Sequence, residues 1–505
     1  MDTRRSRRVS LGLFVTPPQR LGPILAVLAA GLAAVAAPAA GQVRVSAKPN
    51  LYPSFQTGVT NYVSRCGAGS RLRVAVRASG GDRVAVADRP PRGGDFAVKV
   101  RRRAGADFRL RVQSPTGSKT YYVRCLPRHF PNWTWQRSGT PQAQWYVVAP
   151  VGRSAHGYAA IFDTNGVPVW WRHSSKYGPW DAKLLPNGDL AWTRYYLDDR
   201  FGIRPTAGFE EHRLDGRLAR MIRAVGNPTD THDLEMLPNG HYLVITYRAR
   251  RGVDLRAYGG PRRAKVYDGE IQELTRSGKL VWTWRSKDHI GLSEAARWLK
   301  IQVKQRESQL KRNRSFDLVH LNSVEPDGAG FVVSARQLDA VFRIDKRTGA
   351  ITWKLGGTKR PESLSIVGDP YGTTPFGGQH DARLYGDGTL TVYDNETYRD
   401  REPRAVRYRI DPQARTATFL EQVTNPEATW SGFAGSARKL PGGDWVICWG
   451  GLPLITEQAP GGATVAHLYF RDLKYSYRAF PVPAGRLSAS ALRRAMDRMT
   501  RRRAP

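Results

Sequence analysis

Three histidines share one phase of a repeating unit: His232 stands eight residues before Gly240, His320 eight before Gly328, and His380 eight before Gly388. Each unit reads as a short strand, a tight turn (Pro-Asn-Gly, Pro-Asp-Gly or Gly-Asp-Gly) and a second strand, which is a hairpin signal. Trp180 holds the same place before Gly188, and Gly435 holds it before Gly443. A second recurring hairpin, a strand with a glycine turn followed by an aromatic strand, starts near residues 160, 211, 272 and 342, with a degenerate copy from Tyr408. Two hairpins per unit make a four-stranded antiparallel sheet at the period of a propeller blade. The pattern predicts an all-β fold, a six-bladed β-propeller over residues 129–486. Five blades are clear, and the sixth combines strands from 466–482 with strands from before residue 160. A linear solenoid fits less well, because no capping repeat is visible.

Equal phase means an equal place on each blade, so the three histidines should converge where innermost strands line the channel. Asn322 lies two residues beyond His320, on the same face of a regular strand. Arg336 ends the second strand of that hairpin and can return a guanidinium to the funnel. Asp233 and Asp381 are the only obvious carboxylate partners. His129, His156, His173, His212, His241, His289 and His467 fall out of phase and read as surface or core residues. Two insertions, 285–314 and 357–378, interrupt the period next to histidine-bearing hairpins and are predicted to roof the site. The first contains a helix over 293–301 with a Ser-Glu start.

Outside the repeat, residues 1–40 carry an arginine cluster, an apolar run over 24–37 and a small-residue cleavage zone. This is a secretory signal peptide, with an uncleaved anchor as the alternative. Residues 41–128 alternate in short strands and predict a β-sandwich-like domain. Cys66 and Cys125 bracket one of its segments and are expected to form a disulfide, which an exported protein can keep. Cys448 reads as a buried strand residue. Residues 487–505 form a basic amphipathic tail, read as a solvated end or a tag for the cell envelope. The net charge of +36 comes from arginines scattered through turns and tails. No basic-aromatic module of the nucleic-acid-binding kind accompanies them, so a basic surface that draws small anions is expected.

Three converging imidazoles suit two chemistries: a metal site, as in a hydrolase or lactonase, or covalent transfer through one imidazole. A non-catalytic surface-binding propeller is a third reading. Arg336 and Asn322 favour covalent transfer, since a guanidinium beside a divalent cation is electrostatically awkward but suits an oxyanion.

The motifs His-Asp-Leu-Glu-Met-Leu-Pro-Asn-Gly (232–240), Val-His-Leu-Asn-Ser-Val (319–324), Ser-Ala-Arg (334–336) and Gly-Gln-His-Asp-Ala-Arg (378–383), in this order, resemble the bacterial arylsulfotransferases. The resemblance implies a six-bladed propeller behind a small N-terminal β domain. It implies sulfuryl transfer from an aryl sulfate ester to a phenol without a nucleotide sulfate donor, in a ping-pong reaction through a sulfohistidine. No cofactor or metal is expected. The nucleophile's place falls on His380, the anion-binding places on His320, Asn322 and Arg336, and the remaining histidine place on His232. A protonated His320 would help hold the sulfuryl oxygens, and His232 would move the phenolic proton.

Overall fold

The computed structural model describes residues 43–66, 71–152, 157–195, 207–309, 315–472 and 474–502. The proposed signal segment and His156 lie outside them. Between Trp133 and Val482 the strands form six sheets of four or five strands. Their innermost strands are Gly178–Leu184, Thr229–Met236, Leu321–Asp327, His380–Leu384, Ser436–Lys439 and Ala479–Val482. Each touches the next, and the last returns to the first, which closes the ring. The fold is an all-β propeller. Apolar side chains fill the space between blades, with Trp170, Trp192, Trp445 and Trp449 fully buried.

Ring closure differs in one respect from the sequence expectation. The strands from 466–482 do pair with strands from before residue 160, but they do so in two blades. Thr464–Phe470 is extended by Trp133–Arg137, while Ala479–Val482 pairs with Trp145–Val148. The early chain thus crosses from one sheet to its neighbour.

Four innermost strands break register at the histidine phase: between Trp180 and Lys183, Thr229 and Leu234, Leu321 and Ser323, and His380 and Arg383. A bulge bends its strand and re-aims one side chain out of the ordinary alternation. Asp181, His320 and Asp381 have positive φ (51°, 52° and 56°) at these breaks.

The segment after Arg285 forms two short 3-10 turns and helix α1 (Ala296–Gln309), longer than expected from sequence. The other insertion does not follow the site along its whole length. Its Ser365–Val367 runs parallel to Thr416–Val423 at the outer blade edge, and its end at Gly377 and Gly378 reaches the histidines.

Residues 43–125 form a three-stranded and a five-stranded sheet around one apolar core, and the Cys66–Cys125 disulfide (Cα–Cα 5.3 Å) joins the ends of two neighbouring strands of the five-stranded sheet. Cys448 is a buried thiol. The C-terminal tail is not a solvated end. Helix α2 (Ala489–Arg502) buries Leu492, Ala495, Met496 and Met499 and packs on Pro168–Ser174. Its polar side bonds to the N-terminal sheets through Arg124–Asp497 (2.7 Å) and Arg493–Asn61 (2.8 Å). The sequence pattern showed an amphipathic helix but not what its apolar stripe would meet. Among the described residues no helix is long and apolar enough to cross a membrane.

Candidate functional site

The bulged strand starts bring the three phased histidines together. The ring centroids of His232 and His320 are 4.6 Å apart, and those of His320 and His380 are 6.5 Å apart. All three are buried or nearly so. Each imidazole is fixed through Nδ1, but the partners differ in charge. His232 Nδ1 meets both oxygens of Asp230 (2.8 and 2.9 Å). His320 Nδ1 meets Asp317. His380 Nδ1 meets two neutral acceptors, Asn395 Oδ1 (2.7 Å) and the Gly378 carbonyl (3.1 Å).

Asn395 is itself oriented. Its Nδ2 donates to Ser431 Oγ (2.8 Å) and to the Ala434 carbonyl (3.0 Å), so Oδ1 must face the ring. Two acceptors at Nδ1 assign the proton there and leave Nε2 with the lone pair. The Ala434 N–H donates to that Nε2 at 3.3 Å.

The electrostatics separate the rings further. Burial disfavours charge on His232, but the Asp230 carboxylate outweighs it and raises the pKa. Burial, the neighbouring His232 and Arg336 hold His320 well below the usual imidazole range. Burial, Arg336 and His320 do the same to His380. Burial also pushes Asp317 up to about 7. A protonated His320, expected from the sequence, is therefore disfavoured, and of the three rings His232 is the one whose charged form is favoured.

Asp233 and Asp381 are not the carboxylates of these histidines. The bulges turn them into an ionic cluster around Arg478, which bonds Asp181 (2.8 Å), Asp233 (3.1 Å) and Asp381 (3.0 Å). Arg383 joins the cluster through Asp233 (3.0 Å) and Asp381 (2.9 Å). Arg478 also donates to the His232 carbonyl (3.0 Å). Burial alone would raise Asp233, but Arg383, Lys183 and Arg478 hold it well below the carboxylate range. These buried ions fix the strand starts under the imidazoles.

Arg336 lies within the electrostatic reach of the rings, 4.2 Å over the ring of Trp298, and donates to the Gly432 carbonyl (2.9 Å). Asn322 is fully buried, and its Nδ2 donates to the carbonyl of Gln379, the residue before His380 (2.8 Å). The bulge at Leu321 breaks the strand alternation that would have set it on His320's face. Trp298 comes from helix α1, and its Nε1 donates to Asp339 Oδ1 (2.8 Å). That oxygen also accepts from the Gly378 N–H (2.8 Å), and Arg297 and Arg399 pair with the same carboxylate. One buried aspartate thus ties the helix behind Arg336 to the loop behind His380.

Opposite in chemistry is an apolar wall. Tyr477 stacks on Trp180 (4.7 Å) and sets its edge toward His232 (5.7 Å) and His380 (6.3 Å). Tyr475 bridges from Trp180 (5.9 Å) to Phe433 (5.5 Å), whose ring is partly exposed. Sequence reasoning missed Asp230, Asp317, Asn395, Tyr477 and Asp339. Asp230 and Asp317 lie two and three residues before their histidines, a local signal that was there to be read. Among the described residues no group of three or more His, Cys, Asp or Glu is arranged to hold a metal ion.

Fold and side chains together give a β-propeller with imidazoles and a guanidinium gathered beside an aromatic wall. The family profile described as Arylsulfotransferase (ASST) matches residues 136–474, more than half of the chain and nearly all of the ring. The chain belongs to the arylsulfotransferase family, and as such is a sulfotransferase acting on small molecules. No curated protein matches the sequence. Similar solved structures include a Bacteroides caccae protein of unknown function, at 13% identity over 67% of this chain and 99% of that one (TM-score 0.40). Another is the Pseudomonas aeruginosa periplasmic gluconolactonase, at 14% identity over 65% and 98% (TM-score 0.34). A third is virginiamycin B lyase from Staphylococcus aureus, at 10% identity over 67% and 99% (TM-score 0.33). Likenesses this low say nothing about chemistry here.

Proposed function

We propose that the protein moves a sulfuryl group from an aryl sulfate ester to a phenolic acceptor, without a nucleotide sulfate donor, in two steps through a sulfated His380. The observation that carries this reading is the neutral anchor of His380. Of the three imidazoles it alone lacks a carboxylate at Nδ1, so its Nε2 is an uncharged nucleophile with a fixed tautomer.

In the first step the Nε2 lone pair, given up by the Ala434 N–H, attacks sulfur in line as the sulfur–aryl oxygen bond breaks. The His232 imidazolium gives its proton to the departing phenolate. Arg336, beside it, balances charge on the sulfuryl oxygens, a loose transition state in which positioning and charge stabilisation do most of the work. Asn322, at the loop before His380, is assigned the remaining oxygen contact through the second Nδ2 hydrogen. His320, neutral, keeps the two other rings apart in charge. In the second step the acceptor phenol returns its proton to His232 and takes the sulfuryl group from His380. The wall of Trp180, Tyr477, Tyr475 and Phe433 supports aryl groups on both sides of the exchange.

The test is transfer from a chromogenic aryl sulfate to phenol in the presence of a chelator. We expect turnover in the wild type, none in His380→Ala, and a sulfuryl adduct on intact wild-type protein treated with donor alone. Full activity in His380→Ala would remove the covalent role, and loss of wild-type activity on chelation would point to a metal enzyme.

A further inference from the structure

The strands of the three-stranded N-terminal sheet, Val43–Lys48, Arg71–Ala78 and Gly94–Arg101, alternate strictly. One face supplies Val45, Val74, Val76, Val98 and Val100 to the core. The other is exposed, and its register stacks cations in rows. Lys48, Arg73 and Lys99 stand directly across from one another, and Arg71 faces Arg101 in the next row. At the other end Arg44 faces Arg77, beside the single carboxylate, Asp95. Arg77 and Asp95 pair at 3.4 Å, both well exposed.

Like charges directly opposite on a sheet destabilise it. Here they fill two successive rows, and the third row carries only Ser46, Ala75 and Ala97. The patch is about 20 Å along the strands and about 10 Å across them. It is flat. It offers no groove-entering element to a duplex and no stacking platform for unpaired bases. Its exposed side chains include no apolar wedge that would enter a bilayer, so attraction there is electrostatic.

We propose that this face docks the protein on a planar anionic lipid surface, its cation rows lying against the headgroup phosphates. A polybasic surface gains attraction with each Lys or Arg brought near such a membrane, and loses it within a Debye length. The propeller's chemistry plays no part in this contact.

The test is sedimentation of the protein, without its first 40 residues, with phosphatidylcholine vesicles containing about one third phosphatidylglycerol. We expect binding to these and not to pure phosphatidylcholine. Release should follow when salt rises from about 0.1 M to about 1 M, which shortens the Debye length from about 10 Å to about 3 Å. The variant Arg71→Glu/Arg73→Glu/Lys99→Glu should bind at least about ten-fold more weakly. If that variant misfolds, Lys99→Ala/Arg101→Ala should show a smaller loss in the same direction. Absence of wild-type binding, or equal binding by a folded variant, overturns the proposal. So does retention on a soluble sulfated polysaccharide without vesicle binding, which would make the partner a free polymer.

Discussion

His232 and His380 belong to one cluster with opposite protonation preferences, and the difference traces to what surrounds each ring. Asp230 raises His232 against its burial, whereas burial and Arg336 depress His380 with only Asn395 to offset them. If His232 must be an imidazolium to release the phenolate, activity is present below its pKa and is lost as pH rises through it. Because that pKa is raised, the alkaline limb should lie above the ordinary imidazole value of about 6.5. The depressed His380 puts the acid limb well below that value. Asp230→Asn removes the charge that sustains His232 and should move the alkaline limb to lower pH. A pH profile of kcat/KM with a poor leaving group checks this; an unmoved limb would assign the proton to another group. The histidine phase was legible because a repeat copies positions. The carboxylates were misread because adjacency in sequence is not contact on a strand, where neighbours point to opposite faces. Asp233 and Asp381 directly follow their histidines and face the ion cluster instead, while Asp230, Asp317 and Asn395 hold the Nδ1 atoms.

At the scale of elements, the centre is assembled by parts that are distant along the chain. Helix α1 supplies Trp298 under Arg336, the 3-10 turn of Arg336–Leu338 supplies the guanidinium, and the Gly378 loop holds His380. The Asp339 carboxylate joins all three. Asp339→Ala should cut kcat by about 100-fold through misplacement alone, with a smaller effect in Asp339→Asn, which keeps an acceptor for Trp298 and Gly378. Steady-state kinetics read beside the melting temperature separate the cases: equal losses for Ala and Asn would mean that only the charge matters. That the first insertion would stand near the histidines could be inferred from where it interrupts the repeat. The fate of the second could not, since a short parallel strand such as Ser365–Val367 has no sequence mark that distinguishes it from loop.

Over the whole molecule, the repeat made the propeller readable, while contacts between its ends and the N-terminal sheets were not. Those contacts depend on which surfaces meet, and periodicity is silent on that. Helix α2 is the clearest case, with Leu492 fully buried against the ring. Leu492→Ala should cost about 2–5 kcal/mol, measured by denaturant unfolding; a loss under about 0.5 kcal/mol, typical of a surface site, would return the helix to solvent. The double seam has a kinetic consequence. Strands Trp133–Arg137 and Trp145–Val148 are synthesised first, yet their partners Thr464–Phe470 and Ala479–Val482 emerge near the end of translation. Until then two sheets have open edges, the kind that pair with other chains. A ribosome-bound form of this protein should therefore depend on chaperones far more than the finished ring does.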